Sequence, residues 1–208
     1  MEKSYSYRYI NSMFEGFKNA IFYKNSILID EEVLFSEIKS KLLEISSNNN
    51  KIYLFGNGAS AAFSNHMALD FSKNGKIVSR SLSDSSLLTA LANDYSYEEA
   101  MLEYLKIENP CKDDFVITIS SSGNSKNIIK VLEYASSNNI ESLALSGLNL
   151  NNESIKNSKY SIFVPMKTYG MVECMHQIYL HLILDHYMGI EEWNKKESQN
   201  MDSTNFKL

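Results

Sequence analysis

The chain has 208 residues, enough to bury a sizeable core in one domain, and its 44% hydrophobic and 22% charged content is ordinary for a globular protein. Lys and Arg number 20 against 25 Asp and Glu, and the net charge of −5 argues against a nucleic-acid-binding surface. The sequence has no run of 18 apolar residues, its opening "MEKSYSYRYINSMF" lacks a signal-peptide core, and its two cysteines, Cys111 and Cys174, form neither a CxxC pair nor a disulfide framework, so a cytoplasmic protein without membrane contact is expected.

The first fifty residues predict two helices, within residues 5–49. In the first, Tyr9, Ile10, Met13, Phe14, Phe17 and Ile21 recur at three- and four-residue spacing. Such an aromatic stripe is more often packing than a cofactor box, here against another subunit. In the second, Val33, Leu34, Ile38, Leu42 and Leu43 share a side.

From residue 51 the pattern becomes strand, turn, helix, repeated. "KIYLFGNGAS" is a short apolar run ending in a glycine turn, and a helix follows it to Gly75. "KIVSRSL" reads as a strand before helical "SSLLTALAND" and "YEEAMLEYLKIE". "DDFVITIS" is the next strand, turning through "SSSGNS" into the helix "KNIIKVLEYASSN". "IESLALSGL" and "YSIFVPM" are two further strands, and "GMVECMHQIYLHLILDHYMGI" is a long closing helix. Apolar strands alternating with helices predict an α/β three-layer sandwich with a five-stranded parallel sheet, flavodoxin- or Rossmann-like, preceded by N-terminal helices. One domain is expected over residues 1–192. The polar stretch 193–208 is expected to be a disordered tail.

In open parallel sheets ligands bind beyond the carboxyl ends of the strands. Two turns there carry chemistry, "FGNGAS" at 55–60 and "ISSSGNS" at 119–125. Gly56, Gly58 and Gly123 allow close backbone approach, Ser60, Ser120, Ser121, Ser122 and Ser125 supply hydroxyls, and the helices that follow point their N-termini at the same space. A phosphate is the ligand that suits such a place, held by N–H groups and helix ends without a lysine. GxxxxGK[ST] is absent, and "GNGASAA" matches the dinucleotide fingerprint only weakly, since Asp84 comes late for holding a ribose; no nucleotide cofactor is expected.

His66 and Asp70 stand at i and i+4 on the first sheet helix. Glu173, Gln177 and His181 make a stripe on the last helix, with His176 about 60° to one side. Aligned histidines and carboxylates on two helices suit either a divalent metal site or an acid–base pair. His186, without an acidic stripe-mate, reads as a core residue.

Taken together, "GNGAS", "ALANDYSYE" and "ISSSGNSKN" resemble, in order and spacing, the GNGGS, ANDYGYE and IS[TS]SGNSPN motifs of the phosphoheptose isomerase family of SIS (sugar isomerase) domains. The resemblance runs to about Gly189. It implies the SIS fold, a homotetramer with sites shared between subunits, and isomerisation of sedoheptulose 7-phosphate to D-glycero-D-manno-heptose 7-phosphate in heptose or polysaccharide biosynthesis. Ser120, Ser121, Ser122 and Ser125 would hold the phosphate, with Asn57, Gly58, Ala59, Ser60, Asn93 and Asp94 along the sugar. His66, Asp70, Glu173 and His181 would hold a Zn²⁺, and Asp70 and Glu173 would touch the substrate as well. Asp70 and His181 would be the catalytic proton carriers, with His176 in reserve. The chain departs from the family in having Asp70 for Glu, Glu173 for Gln and Gly170 for Asp. Its last helix is similar to a branch with a Val-Glu-x-x-His-Gln pattern, yet His181 is kept. An isomerase of another phosphosugar, an etherase acting on a phosphorylated amino sugar, and a non-catalytic phosphosugar-binding module are the alternatives.

Overall fold

The structure, a computed structural model, describes residues 3–191 and Trp193; the tail expected at 193–208 otherwise lies outside the described residues. Its centre is a parallel sheet of β3 (Ile52–Gly56), β4 (Ser79–Ser81), β5 (Phe115–Ser120), β6 (Glu141–Gly147) and β7 (Tyr160–Val164), the five strands expected. Strands β3, β5 and β7 are buried at every residue. That burial explains why they read as continuous apolar runs rather than alternating ones. Period two still sorts their side chains. Ile52, Leu54, Ile117 and Ile119 face one core layer, and Tyr53, Phe55 and Val116 face the other.

The first layer is covered by α2 (Glu31–Asn48), α3 (Ala59–Lys73) and α8 (Tyr169–Met188), with α1 (Tyr5–Lys18) lying against α8. The second is covered by α5 (Tyr97–Ile107) and α6 (Lys126–Ser137), with α4 (Ser85–Asp94) packed on α5; α7 (Glu153–Asn157) bridges β6 and β7.

Two sequence expectations change. The apolar stripe read as one helix through Ile21 breaks after Lys18. Ile21–Lys24 (β1) and Ile27–Ile29 (β2) form a hairpin, and β1 pairs antiparallel with β7. Asn25 and Ser26 both take positive φ, 49° and 62°, the turn that lets two strands return with matching twist. The sheet therefore has seven strands among the described residues, in the order β2-β1-β7-β6-β5-β3-β4. The second change concerns α2. Its buried stripe is Leu34, Phe35, Ile38, Leu42 and Ile45, whereas Val33 and Leu43 face outward. On α1, Met13 and Phe17 pack on the core while Ile10 and Phe14 are exposed.

In the parallel part, β3 lies between β4 and β5, so the chain runs first to one side of β3 and then to the other. This reversal opens a crevice at the carboxyl ends of β3 and β5. No helix among the described residues is long and apolar enough to cross a membrane.

The orientation of α2 is open to test by urea unfolding. Leu34→Ala removes a fully buried side chain and should cost about 2–5 kcal/mol. Val33→Ala, on the outer side, should change stability by less than about 1 kcal/mol.

Candidate active site

The crevice is a cleft of 220 Å³. Asn57 and Ser60 come from the turn after β3, Ser120, Ser121, Ser122 and Ser125 from the turn after β5, and Tyr169 and Glu173 from the first turns of α8. Hydroxyls, amides and one carboxylate line it, with no cation among them. Three helices begin around this cleft, α3, α6 and α8, and none of their N-caps makes a side-chain capping hydrogen bond. The N-caps of α1, α2, α4, α5 and α7 all do. A helix leaves its first N–H groups without intrahelical partners, so three uncapped starts around one cleft concentrate donors and positive dipole ends there.

The serine turn is held from below. Gly123 sits at φ +65°, and its carbonyl accepts from Ser154 N at 2.9 Å and Ser154 Oγ at 3.0 Å. Asn124 Oδ1 accepts from Glu153 N at 2.9 Å, which ties the turn to the start of α7. A Cβ on Gly123 would lie 2.3 Å from Asn152 Cγ, so only glycine satisfies both the conformation and the space. Across the cleft, Asn57 and Asn127 exchange hydrogen bonds at 3.0 and 2.9 Å, and Tyr97 Oη donates to Asn57 Oδ1 at 2.7 Å. That amide pair locks the turn after β3 to the first turn of α6. Asn127, Tyr97 and Tyr169 were not singled out from sequence. Asn127 stands in "SSSGNSKN" itself, but its partner is 70 residues away, which spacing does not show.

A second group lies where α3 meets α8. His66, Asp70 and His181 offer donor atoms all within 4.8 Å of one another. His66 Nε2 stands 3.2 Å from Asp70 Oδ2, the rings of His66 and His181 are 5.3 Å apart, and Gln177 Nε2 lies 2.7 Å from His181 Nε2. Two histidines and a carboxylate at this separation are the donor chemistry of a zinc site, and Gln177 Oε1 nearby is buried with no hydrogen-bond partner. The residues present therefore fit such an ion.

Of the residues expected at the site, Asn57, Ser60, the four serines of the second turn and Glu173 line the cleft, with Gly58 and Ala59 at the start of α3 beside it. His66, Asp70 and His181 come together as a separate group, and Glu173 is not among them. It is two turns from His181, ~12 Å along the helix axis, and its side chain faces the serines. Asn93 and Asp94 are exposed at the end of α4 and do not line the cleft; Asn93 Nδ2 donates to Asp94 Oδ1 at 3.0 Å. His176 is placed in the core, away from both groups. It is fully buried, Nε2 donates to the Ser146 carbonyl at 3.1 Å, and Nδ1 has no partner. Burial pulls its pKa down to about 4 against the opposing pull of that hydrogen bond, so it is a neutral packing residue at pH 7 rather than a base facing substrate.

The fold and cleft define the class of protein, and comparison with known proteins agrees: the family model described as "SIS domain" matches residues 30–147. The phosphoheptose isomerase of Aneurinibacillus thermoaerophilus is 36% identical over 80% of this chain and 87% of its own length. Phosphoheptose isomerase 2 of Campylobacter jejuni is 40% identical over 66% of this chain and 73% of its own. The structure of the Neisseria gonorrhoeae phosphoheptose isomerase superposes with a TM-score of 0.72 at 23% identity, covering 89% of this chain and 97% of that one. The chain belongs to the SIS-domain proteins and, within them, to the phosphoheptose isomerase family; it is an isomerase.

Two measurements test this geometry. Gly123→Ala should destabilise the protein by about 1–3 kcal/mol, through positive φ and the Asn152 contact, and lower the melting temperature. For His176 the folded pKa lies below the unfolded value near 6.5, so the unfolded chain binds the extra proton. Its contribution to stability is then complete above pH 6.5 and is lost as pH falls towards 4. Urea unfolding at pH 7 and pH 5 should show this residue removing about 2 kcal/mol in the wild type, a loss absent from His176→Gln.

Proposed function

We propose that this chain interconverts sedoheptulose 7-phosphate and D-glycero-D-manno-heptose 7-phosphate, a cytoplasmic step supplying heptose for a cell-surface polysaccharide. The observation that carries the reading is the cleft ringed by three uncapped helix starts and four serines, about two helical turns along α8 from a His–Asp–His group. The phosphate lies against Ser120, Ser121, Ser122 and Ser125, accepting from hydroxyls and open N–H groups, so that a lining without cations is sufficient. Asn57, Gly58, Ala59, Ser60 and Glu173 run along the sugar, and Asn93 and Asp94 are proposed as further sugar contacts. The ~12 Å along α8 from Glu173 to His181 suits an extended seven-carbon chain whose phosphate is at one end and whose carbonyl is at the other.

At that far end Asp70 and His181 carry protons. From the ketose, one of them takes a proton from C1, the electron pair forms the C1–C2 double bond, and O2 gains a proton to give the cis-enediol. Loss of the O1 proton and return of a proton to C2 then give the aldehyde at C1 and the hydroxyl at C2, with no net change in composition. His66, Asp70 and His181 would hold a Zn²⁺; the family pattern would add Glu173, which here lines the serine cleft apart from that group. A bound zinc would supply charge stabilisation at the carbonyl oxygens. A donor tightly bound to a cation is a poor base, so neither Asp70 nor His181 could hold the ion tightly and accept a proton from carbon at the same instant.

Self-association as a homotetramer belongs to the same proposal. Ile10 and Phe14 on α1, Leu69 beside Asp70, and Ile178 and Leu182 beside Gln177 and His181 are exposed apolar side chains. A neighbouring subunit seated on Leu69, Ile178 and Leu182 would exclude water from the His–Asp–His group.

The test is turnover of sedoheptulose 7-phosphate followed by NMR. The wild type should form the aldose. Asp70→Asn and His181→Ala should each lower kcat at least ~100-fold. Ser121→Ala combined with Ser122→Ala should chiefly raise KM. Undiminished rates in both proton-carrier variants would remove Asp70 and His181 from the mechanism. Turnover of a different ketose phosphate alone would move the assignment to another phosphosugar, and no turnover of any would leave a binding module.

A further inference from the structure

His66, Asp70 and His181 provide three donors, whereas zinc in proteins takes four, the fourth being either protein or exchangeable. The family pattern would complete the set with Glu173. Its carboxylate instead faces the serine cleft, two helical turns from His181. One turn from His181, on the same stripe of α8, stands Gln177. Its Nε2 lies 2.7 Å from His181 Nε2, and its Oε1 is buried without a hydrogen-bond partner. A buried oxygen left unsatisfied costs about 1–3 kcal/mol, so the amide is held where half of its bonding capacity is unused.

A half-turn about the last side-chain bond exchanges the two ends of the amide and sets Oε1 opposite the ring nitrogen. Two donors on one tetrahedral zinc at ~2.0–2.1 Å stand ~3.3 Å from each other. The His66–Asp70 pair is already at 3.2 Å. The Gln177–His181 pair has to open by only ~0.6 Å to reach the same spacing.

We infer that Gln177 Oε1 is the fourth donor to the cation held by His66, Asp70 and His181, and that Glu173 is not a ligand. The inference rests on the zinc reading of this group. It changes the chemistry of the site. With Asp70 as the single anionic ligand, the ion keeps one net positive charge, where a second carboxylate would cancel it. Glu173 is meanwhile left as a free carboxylate beside the substrate.

The experiment measures Zn²⁺ affinity by competition with a chromophoric chelator, and the visible spectrum of the Co²⁺-loaded protein, on the full-length chain. Gln177→Ala should weaken Zn²⁺ binding about 10–100-fold and shift the Co²⁺ bands. Gln177→Glu, which restores an oxygen donor, should bind within about threefold of wild type or more tightly. Glu173→Gln should leave affinity and spectrum unchanged. Wild-type affinity in Gln177→Ala would overturn the inference, as would weaker binding with an unshifted Co²⁺ spectrum, or loss of binding in Glu173→Gln. A full-length protein that binds neither ion, or a His66→Ala variant that binds like wild type, would instead overturn the zinc reading itself.

Discussion

Three helix starts whose N-cap residues make no side-chain capping hydrogen bond, those of α3, α6 and α8, meet at the carboxyl edge of the sheet. The other helix starts with a described cap are closed by Ser4, Asp30, Asp84, Ser96 and Asn152. Open amide groups can be left only where water or a ligand takes the place of the cap. The reversal of strand order at β3 creates that place, because the connections after β3 and β5 leave in opposite directions and cannot cover each other's helix starts. Much of the surrounding structure keeps this arrangement from closing. Gly123 lets the serine turn lie flat on Asn152, the start of α7 grips the turn, and the Asn57–Asn127 pair fixes its distance from α3.

The electrostatics follow from the same choice. A cleft lined by hydroxyls and amides stabilises an anion through many partial charges, and the one carboxylate present, Glu173, sits at its rim with the opposite preference. Down the same face of α8 the side chains change from cleft to His–Asp–His group over two turns, Glu173 to Gln177 to His181. One helix thereby contributes to both the cleft and the His–Asp–His group. The adjacent stripe, with His176, Tyr179 and Leu180, is buried and packs the helix against the sheet and α3. Spacing of five residues separates His176 from His181 by enough rotation to put one in the core and the other in the site.

Strands and the glycine- and serine-rich turns that end them were legible because they are local. Apolar runs ending in glycine and serine fix both the strand end and the start of the next helix within about ten residues. The His66–Asp70 pair was legible for the same reason, since i and i+4 always share a helix face. The hairpin was not. Its turn, Asn25–Ser26, lacks the glycine that usually marks such turns, and β1 joins the main sheet only through β7, more than a hundred residues later. The outward side of α2 was equally hidden, because Val33 and Leu43 are as apolar as their buried neighbours. A helix with apolar residues on several faces does not reveal which one the sheet covers.

The sequence by itself determined the α/β alternation, the two glycine- and serine-rich turns at the strand ends and the pairing of histidine with carboxylate on α3, all of which depend on residues within one or two helical turns. The tertiary structure alone decided which residues of α8 meet α3, that His181 joins His66 and Asp70 while His176 is buried, and that Glu173 faces the serines. These are set by the rotation and depth at which one helix packs on another. That packing is the sum of many weak apolar contacts, to which the polar residues of the site contribute little.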